Sequence, residues 1–209
     1  MPGKTETEAQ RRERILQAAF KVALRERLEH MTIRQVAAEA NLSHELVFSY
    51  FKSKDALLVA LLDWLLDDLF ETWEAPTTLS PRERLLELIE QDLRDACIQH
   101  NQKSLTRLEL LFDYWTLSTR EPEIRCRMLA GIERSRQMFL PVACSLIKAE
   151  PTRFPGVTPD TLVTLILSLI QGYTLQNILG NPIPPLTNFS LLPAPPRSSH
   201  PMTMRAARA

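Results

Sequence analysis

Residues 33–54 read Ile33-Arg-Gln-Val-Ala-Ala-Glu-Ala-Asn-Leu-Ser-His-Glu-Leu-Val-Phe-Ser-Tyr-Phe-Lys-Ser-Lys54, and the way this stretch folds decides the rest of the chain. Val36, Ala37 and Ala40 share one face of a helix, and Ala37 is small enough to let a second helix cross closely. Asn41 stands where a sharp turn needs left-handed backbone, a conformation Asn tolerates second only to Gly. Leu42 anchors the turn, Ser43 can cap a second helix, and Leu46, Val47 and Tyr50 return to the core. The pattern predicts two short helices at a steep angle about a tight turn, a helix-turn-helix. The same spacing also suits an ordinary helical hairpin inside an all-helical enzyme or bundle.

A helix-turn-helix presents its second helix to a DNA major groove by the N-terminal residues, here His44, Glu45, Phe48 and Ser49. Ahead of it, Thr32 and Gln35 form a capping box that starts the first helix of the pair at a definite place. Further upstream, Ile15, Leu16, Ala19, Phe20 and Ala23 recur at helical spacing and predict an amphipathic helix from about Glu8 to Leu28. Arg11, Arg12 and Arg14 near its start could reach phosphates, or belong to an ordinary solvated face of interleaved Arg and Glu.

Formal net charge is zero over 209 residues, so no global field draws the chain to nucleic acid. Residues 1–55 carry ten Lys or Arg against eight Asp or Glu, and the remainder fifteen against seventeen. That mild asymmetry permits a DNA-binding first part without establishing one. Cys97, Cys126 and Cys144 are widely spaced within helical patterns and read as buried, reduced thiols. The polar N-terminus has no apolar signal core. The most apolar stretch, from residue 161 to 179, contains Gln171, Tyr173, Gln176 and Asn177, which suit a buried protein-protein helix better than lipid. A soluble, cytoplasmic protein without a membrane partner is expected.

Downstream of the motif, Ser53 can cap a helix running from Lys54 to about Glu74. Its leucines, with Trp64, Phe70 and Trp73, leave it apolar over most of its circumference. Such a helix has to be covered on several sides, so it should join the N-terminal bundle to a second domain. Ser80-Pro81-Arg82-Glu83 restarts the helical pattern with a cap, a Pro at the first position and a box-closing Glu. That helix runs to about His100, with a loop at Asn101 and Gln102. A helix carrying Leu105, Leu108, Leu111, Phe112 and Trp115 follows, then one from Pro122 to about Lys148 that Pro141 should kink. Thr158-Pro159-Asp160 opens the last helix, and Gly180 with Pro182 closes it. Seven of the fifteen prolines, and no acidic residue, fall in 181–209, which reads as a flexible or surface-draped tail. No segment alternates long enough for a strand. The fold reads as all-α with eight or nine helices: a three-helix head at 1–52, a body at 53–180 and the tail at 181–209.

The run from Asn41 to Leu57, with its very short second helix ending in Tyr50-Phe51 and then Lys-Ser-Lys-Asp-Ala-Leu, resembles the signature of the TetR family of bacterial transcriptional regulators. The match covers about residues 10–60. The resemblance implies a homodimer with a DNA-binding head and a ligand-binding, dimerising body, a repressor released from its operator, in double-stranded DNA, when a small molecule binds. It assigns phosphate contacts to Thr32, Tyr50 and Lys54 and base-edge contacts to Ser43, His44 and Glu45. Arg34 and Lys52 complete the DNA-contacting set with Phe48 and Ser49. The chain departs from the family pattern at Asn41, where Gly is usual, at Phe48, where Tyr is common, and at Glu45, where small residues are common. Phe48 would exchange a phosphate hydrogen bond for an apolar contact with a thymine methyl, and Glu45 could accept from a cytosine amino group. The C-terminal half, with its aromatic-rich sixth helix ending in Arg120-Glu121-Pro122-Glu123, resembles the body of the choline-responsive repressors of the family.

In such a body Trp64, Phe70, Phe112, Trp115, Met128 and Phe139 could line an effector pocket, with Asp92 or Glu109 as polar anchor; the effector would be apolar or cationic. The same aromatics would also serve as plain core. The last two helices, about 122–149 and 158–180, are the expected dimer surface, with Leu162, Leu165, Ile166, Leu169, Gly172 and Tyr173 as a stripe on the second; the same stripe would also serve as intramolecular core. His30, His44, His100 and His200 are isolated, and five glycines supply no phosphate loop and no nucleophile elbow. No enzyme, metal site or cofactor is expected, and the rival to a regulator is a helical adaptor without DNA binding.

Overall fold

The structure, a computed structural model, describes residues 6–70, 78–93 and 102–179, and only the backbone of 69, 70 and 102–106. Cys97, the side chain of Phe70, the helix ends expected near Glu74 and His100, the Gly180-Pro182 stop and the tail at 181–209 lie outside the described residues. Those residues are helical apart from turns: α1 (Glu8–His30), α2 (Ile33–Ala40), α3 (His44–Tyr50), α4 (Lys54–Phe70), α5 (Pro81–Leu93), α6 (Gln102–Ser118), α7 (Pro122–Ala149), a short 3₁₀ turn (Pro151–Arg153) and α8 (Pro159–Ile178).

The helix starts follow from local chemistry. Thr32 accepts from the Gln35 amide at 3.3 Å while the Gln35 side chain accepts from the Thr32 amide at 2.8 Å. Ser43 accepts from the Leu46 amide at 3.2 Å, Ser53 from that of Ala56 at 3.0 Å and Thr158 from that of Thr161 at 3.1 Å. Ser80 and Glu83 close the expected box at 3.3 and 2.9 Å. Each pairing satisfies helix amides that would otherwise lack acceptors. Asn41 ends α2 at φ 53°, ψ 48°, and Leu42 donates back to the Ala37 carbonyl at 2.9 Å.

Three expectations need correction. α1 does not stop at Leu28 but reaches His30 through a kink at Arg27, whose φ of 68° and ψ of 155° are non-helical. A non-Gly residue is costly there. Beyond the kink Leu28 and Met31 are buried, and the Arg27 guanidinium meets Asp113 of α6 at 3.4 Å. Gln102 is the first residue of α6, not part of a loop. Cys126 and Cys144 are exposed rather than buried, because both lie on the outward side of α7, whose core residues are Ile124, Gly131, Phe139, Val142, Ala143 and Leu146.

Buried side chains form two clusters. One gathers the inward residues of α1–α4 with Leu110 and Tyr114 of α6 and Ile124 of α7. The other joins α5, the second half of α7 and α8. The wide apolar surface of α4 is thus covered by α1, α6 and α7, as its composition required. Tyr114 is wholly buried and donates to the Leu58 carbonyl at 2.8 Å. Ion pairs run along the same joint, including Arg127 to Asp63 at 3.7 Å and Arg134 to Asp67 at 2.7 Å.

Gly131 shows how closely α7 meets α4: a Cβ on it would stand 2.9 Å from Leu66 Cδ2. A leucine methyl can shift by that much, and Ala also restores about 1 kcal/mol of helix propensity, so Gly131→Ala is expected to leave stability within about 1 kcal/mol. Gly131→Leu overpacks the crossing and should cost roughly 1–3 kcal/mol, seen as a lower urea midpoint.

Candidate nucleic-acid interface

α2 buries Val36, Ala37 and Ala40, and α3 buries Val47, followed by Phe51. With those faces turned inward, Thr32, Arg34, Ser43, Glu45, Phe48, Ser49 and Lys52 are exposed, and His44, Tyr50 and Lys54 half-buried. The proposed DNA-contacting residues therefore lie on or beside one outward surface of the helix-turn-helix.

Several of their polar atoms already have local partners. The Ser43 hydroxyl caps α3, and that of Ser49 donates to the Leu46 carbonyl at 2.7 Å. Hydrogen bonding within its own residue, then to the Ser43 side chain, holds the Glu45 carboxyl below its ordinary range, so Glu45 is an anion at neutral pH. The Lys54 ammonium donates to the Glu29 carbonyl at the end of α1. It lines an open depression of about 450 Å³ with Glu29, His30, Met31, Thr32, Ile33, Arg34 and His44. Arg34 and Lys54, the two cations of this lining, make the depression at the start of α2 suited to a backbone phosphate. His30, isolated in the sequence, joins this lining two residues ahead of the Thr32 cap.

Rings and cations organise the rest of the surface. His44 and Phe48, four residues apart, stack with centroids 6.2 Å apart and planes inclined by 21°, and Lys52 Nζ lies 6.0 Å from the Phe48 centroid. Arg12 sits 4.7 Å over Phe51. Arg11 and Arg14 pair with Glu6 at 3.3 and 3.1 Å. Of the three N-terminal arginines, these two are thereby part of a local network on α1.

The effector-pocket candidates divide. Trp64 donates to both carboxylate oxygens of Glu13 at 3.0 and 2.9 Å, meets Phe20 at 5.9 Å and has Arg107 over its ring, which fixes it in the joint between α1, α4 and α6. Met128 packs on the first cluster and Phe139 lies inside the second. Glu109 and Phe112 are half-buried, and Trp115 and Asp92 exposed. The dimer stripe divides as well: Leu162 and Ile166 are buried and Tyr173 packs beside them, while Leu165 is 61% and Leu169 36% exposed. Gly172 has open space where a Cβ would stand. α8 is the one helix among the described residues long and apolar enough to cross a membrane, but its buried side is packed against α5 and α7.

A helix-turn-helix whose outward face carries cations and an exposed ring, set on a helical body, defines the class of DNA-binding transcriptional regulators. Residues 15–61 match the profile of the bacterial regulatory proteins, tetR family. Over that segment, the helix-turn-helix and the start of α4, the chain matches the TetR family. It is 25% identical over 167 residues to an uncharacterized HTH-type transcriptional regulator in the dhlA 5' region of Xanthobacter autotrophicus, covering 79% of each chain. A TetR transcription regulator from Haloarcula marismortui superposes with a TM-score of 0.71 at 22% identity, covering 83% of this chain and 88% of that one. A transcriptional regulator from Saccharomonospora viridis in complex with choline superposes with a TM-score of 0.68 at 24% identity and the same coverage of both chains.

Proposed function

We propose that this DNA-binding regulator acts as a dimeric repressor, and that a small molecule bound in its C-terminal body releases it from the operator. In this reading residues 1–52 read DNA and residues 53–180 bind effector and partner. The observation that carries it is the shared core: Leu110, Tyr114 and Ile124 of the body are buried with the head's own apolar residues. In this reading a shift of α6 reaches α1, which it packs against, and through α1 and α2 the recognition helix α3. The effector is proposed to be cationic or apolar, held near Glu109, Phe112 and Trp115 of α6, and the choline carried by one structural neighbour supports a cation.

The dimer is proposed to form through α7 and α8, where Leu129, Leu165 and Leu169 are large apolar side chains exposed to solvent. Fluorescence anisotropy with selected and scrambled duplexes at two salt concentrations tests this reading. The expected result is sequence-dependent binding that weakens with salt. Leu165→Glu with Leu169→Glu should yield a folded monomer on sedimentation and reduce affinity for a two-half-site duplex at least about tenfold. Equal, salt-independent binding to all duplexes, or an unchanged dimer, would count against it.

A further inference from the structure

We infer that Phe48 reads the C5-methyl group of a pyrimidine in the major groove, making it a specificity-determining residue of the interface; the inference rests on the DNA-binding reading above.

Phe48 is 43% exposed, the one large apolar side chain among the described residues of the head that faces solvent so openly. Ile15, Leu16, Val22, Leu28, Met31, Val36, Val47 and Phe51 are all buried, so the head has ample means of covering apolar surface and leaves this ring out. The ring is also braced. His44 stacks on it from one turn earlier and Lys52 stands near its face from one turn later. A braced aromatic loses little side-chain freedom when it meets a surface.

Groove chemistry narrows what it can meet. A phenyl ring can make no hydrogen bond to a phosphate, a carbonyl or an amino group, and the apolar feature that base pairs display in the major groove is the C5-methyl of thymine. Methylated cytosine displays the same group at the same ring position. The neighbouring polar candidates do not compete for that role: the Ser43 and Ser49 hydroxyls are bonded within their own helix, and Glu45 is an acceptor suited to an amino group.

The test begins with selection of duplexes by the full chain from a random pool. The selected duplex is then resynthesised with deoxyuridine replacing thymidine one position at a time, and in a second series with 5-methyldeoxycytidine replacing deoxycytidine. Wild type, Phe48→Ala and Phe48→Leu are titrated against both. Removing the methyl that Phe48 meets should weaken wild-type binding about fourfold per half-site, the transfer preference of a single buried methylene-sized group, and about fifteenfold when both half-sites are changed. Phe48→Ala should lose that discrimination at the same position and Phe48→Leu should keep part of it. A Phe48-dependent loss in the uridine series identifies thymine, and a Phe48-dependent gain in the second series identifies 5-methylcytosine. Selection of a duplex whose methyl responses are identical in wild type and Phe48→Ala overturns the inference alone. Failure to enrich any duplex overturns the DNA-binding reading and the inference together.

Discussion

Alanine at Arg34, Lys52 and Lys54 together is expected to weaken binding to any duplex at least about a hundredfold and to flatten its salt dependence. Arg34 and Lys52 are exposed and Lys54 is half-buried, and Arg34 and Lys54 flank the depression at the start of α2. If each neutralises one phosphate, a dimer loses six contacts, and the slope of log affinity on log salt should fall by about five. Because phosphate contacts carry no sequence information, the ratio between selected and scrambled duplexes should change far less than the affinities. Circular dichroism should match wild type and the urea midpoint should fall by no more than about 1 kcal/mol of stability, since none of the three side chains belongs to a buried cluster and the bond lost is that of Lys54 to the Glu29 carbonyl. An unchanged salt slope would show that the docking surface lies elsewhere. Loss of discrimination with little loss of affinity would show that these residues read bases.

Tyr114→Ala is expected to destabilise the protein by about 3–5 kcal/mol, the usual cost of removing a large buried aromatic side chain. The residue is wholly enclosed where α6 meets α4. Tyr114→Phe keeps the ring and removes only the bond to the Leu58 carbonyl, so about 1 kcal/mol should be lost. The two variants thus separate packing from hydrogen bonding. Burial, and secondarily the charge of Asp63, pushes the Tyr114 phenol well above its ordinary value. Above about pH 10 the unfolded chain releases this proton while the native state keeps it. The native state then binds more protons, and stability falls as pH rises, by up to about 1.4 kcal/mol per pH unit, while the group has no effect below about pH 9. Denaturation of wild type and Tyr114→Phe between pH 8 and 11 should show the wild-type curve falling more steeply. Parallel curves would mean that Tyr114 ionises as freely in the fold as in the open chain. In the proposed mechanism this joint carries the effector signal, so Tyr114→Phe should also reduce the effect of an effector on DNA affinity.

Much of the head was legible because its signals are local. Thr32, Asn41, Ser43 and Ser53 act on amides or turns within a few residues, so their hydrogen bonds follow from spacing alone. The kink at Arg27 had no such signal: neither Gly nor Pro marks it, and its strain is sustained by the burial of Leu28 and Met31 and by Asp113 on another helix. The two thiols were misplaced because a cysteine within a helical pattern does not state which side of a long helix it occupies. The body aromatics were ambiguous for the same reason. Trp64 could have faced a ligand, but Glu13, distant in sequence, takes its indole N–H.

The amino-acid sequence alone determined that the chain is helical, where most helices begin, and that a helix-turn-helix with an unusual Glu45 and Phe48 lies near its start. These properties depend on contacts within one or two helical turns. Only the tertiary structure decided that α6 and α7 share a core with α1–α4, that Tyr114 closes it, and that Phe48 stands braced and exposed beside His44. Those outcomes depend on which helix faces pack together, and an apolar face names no partner until the whole chain has folded.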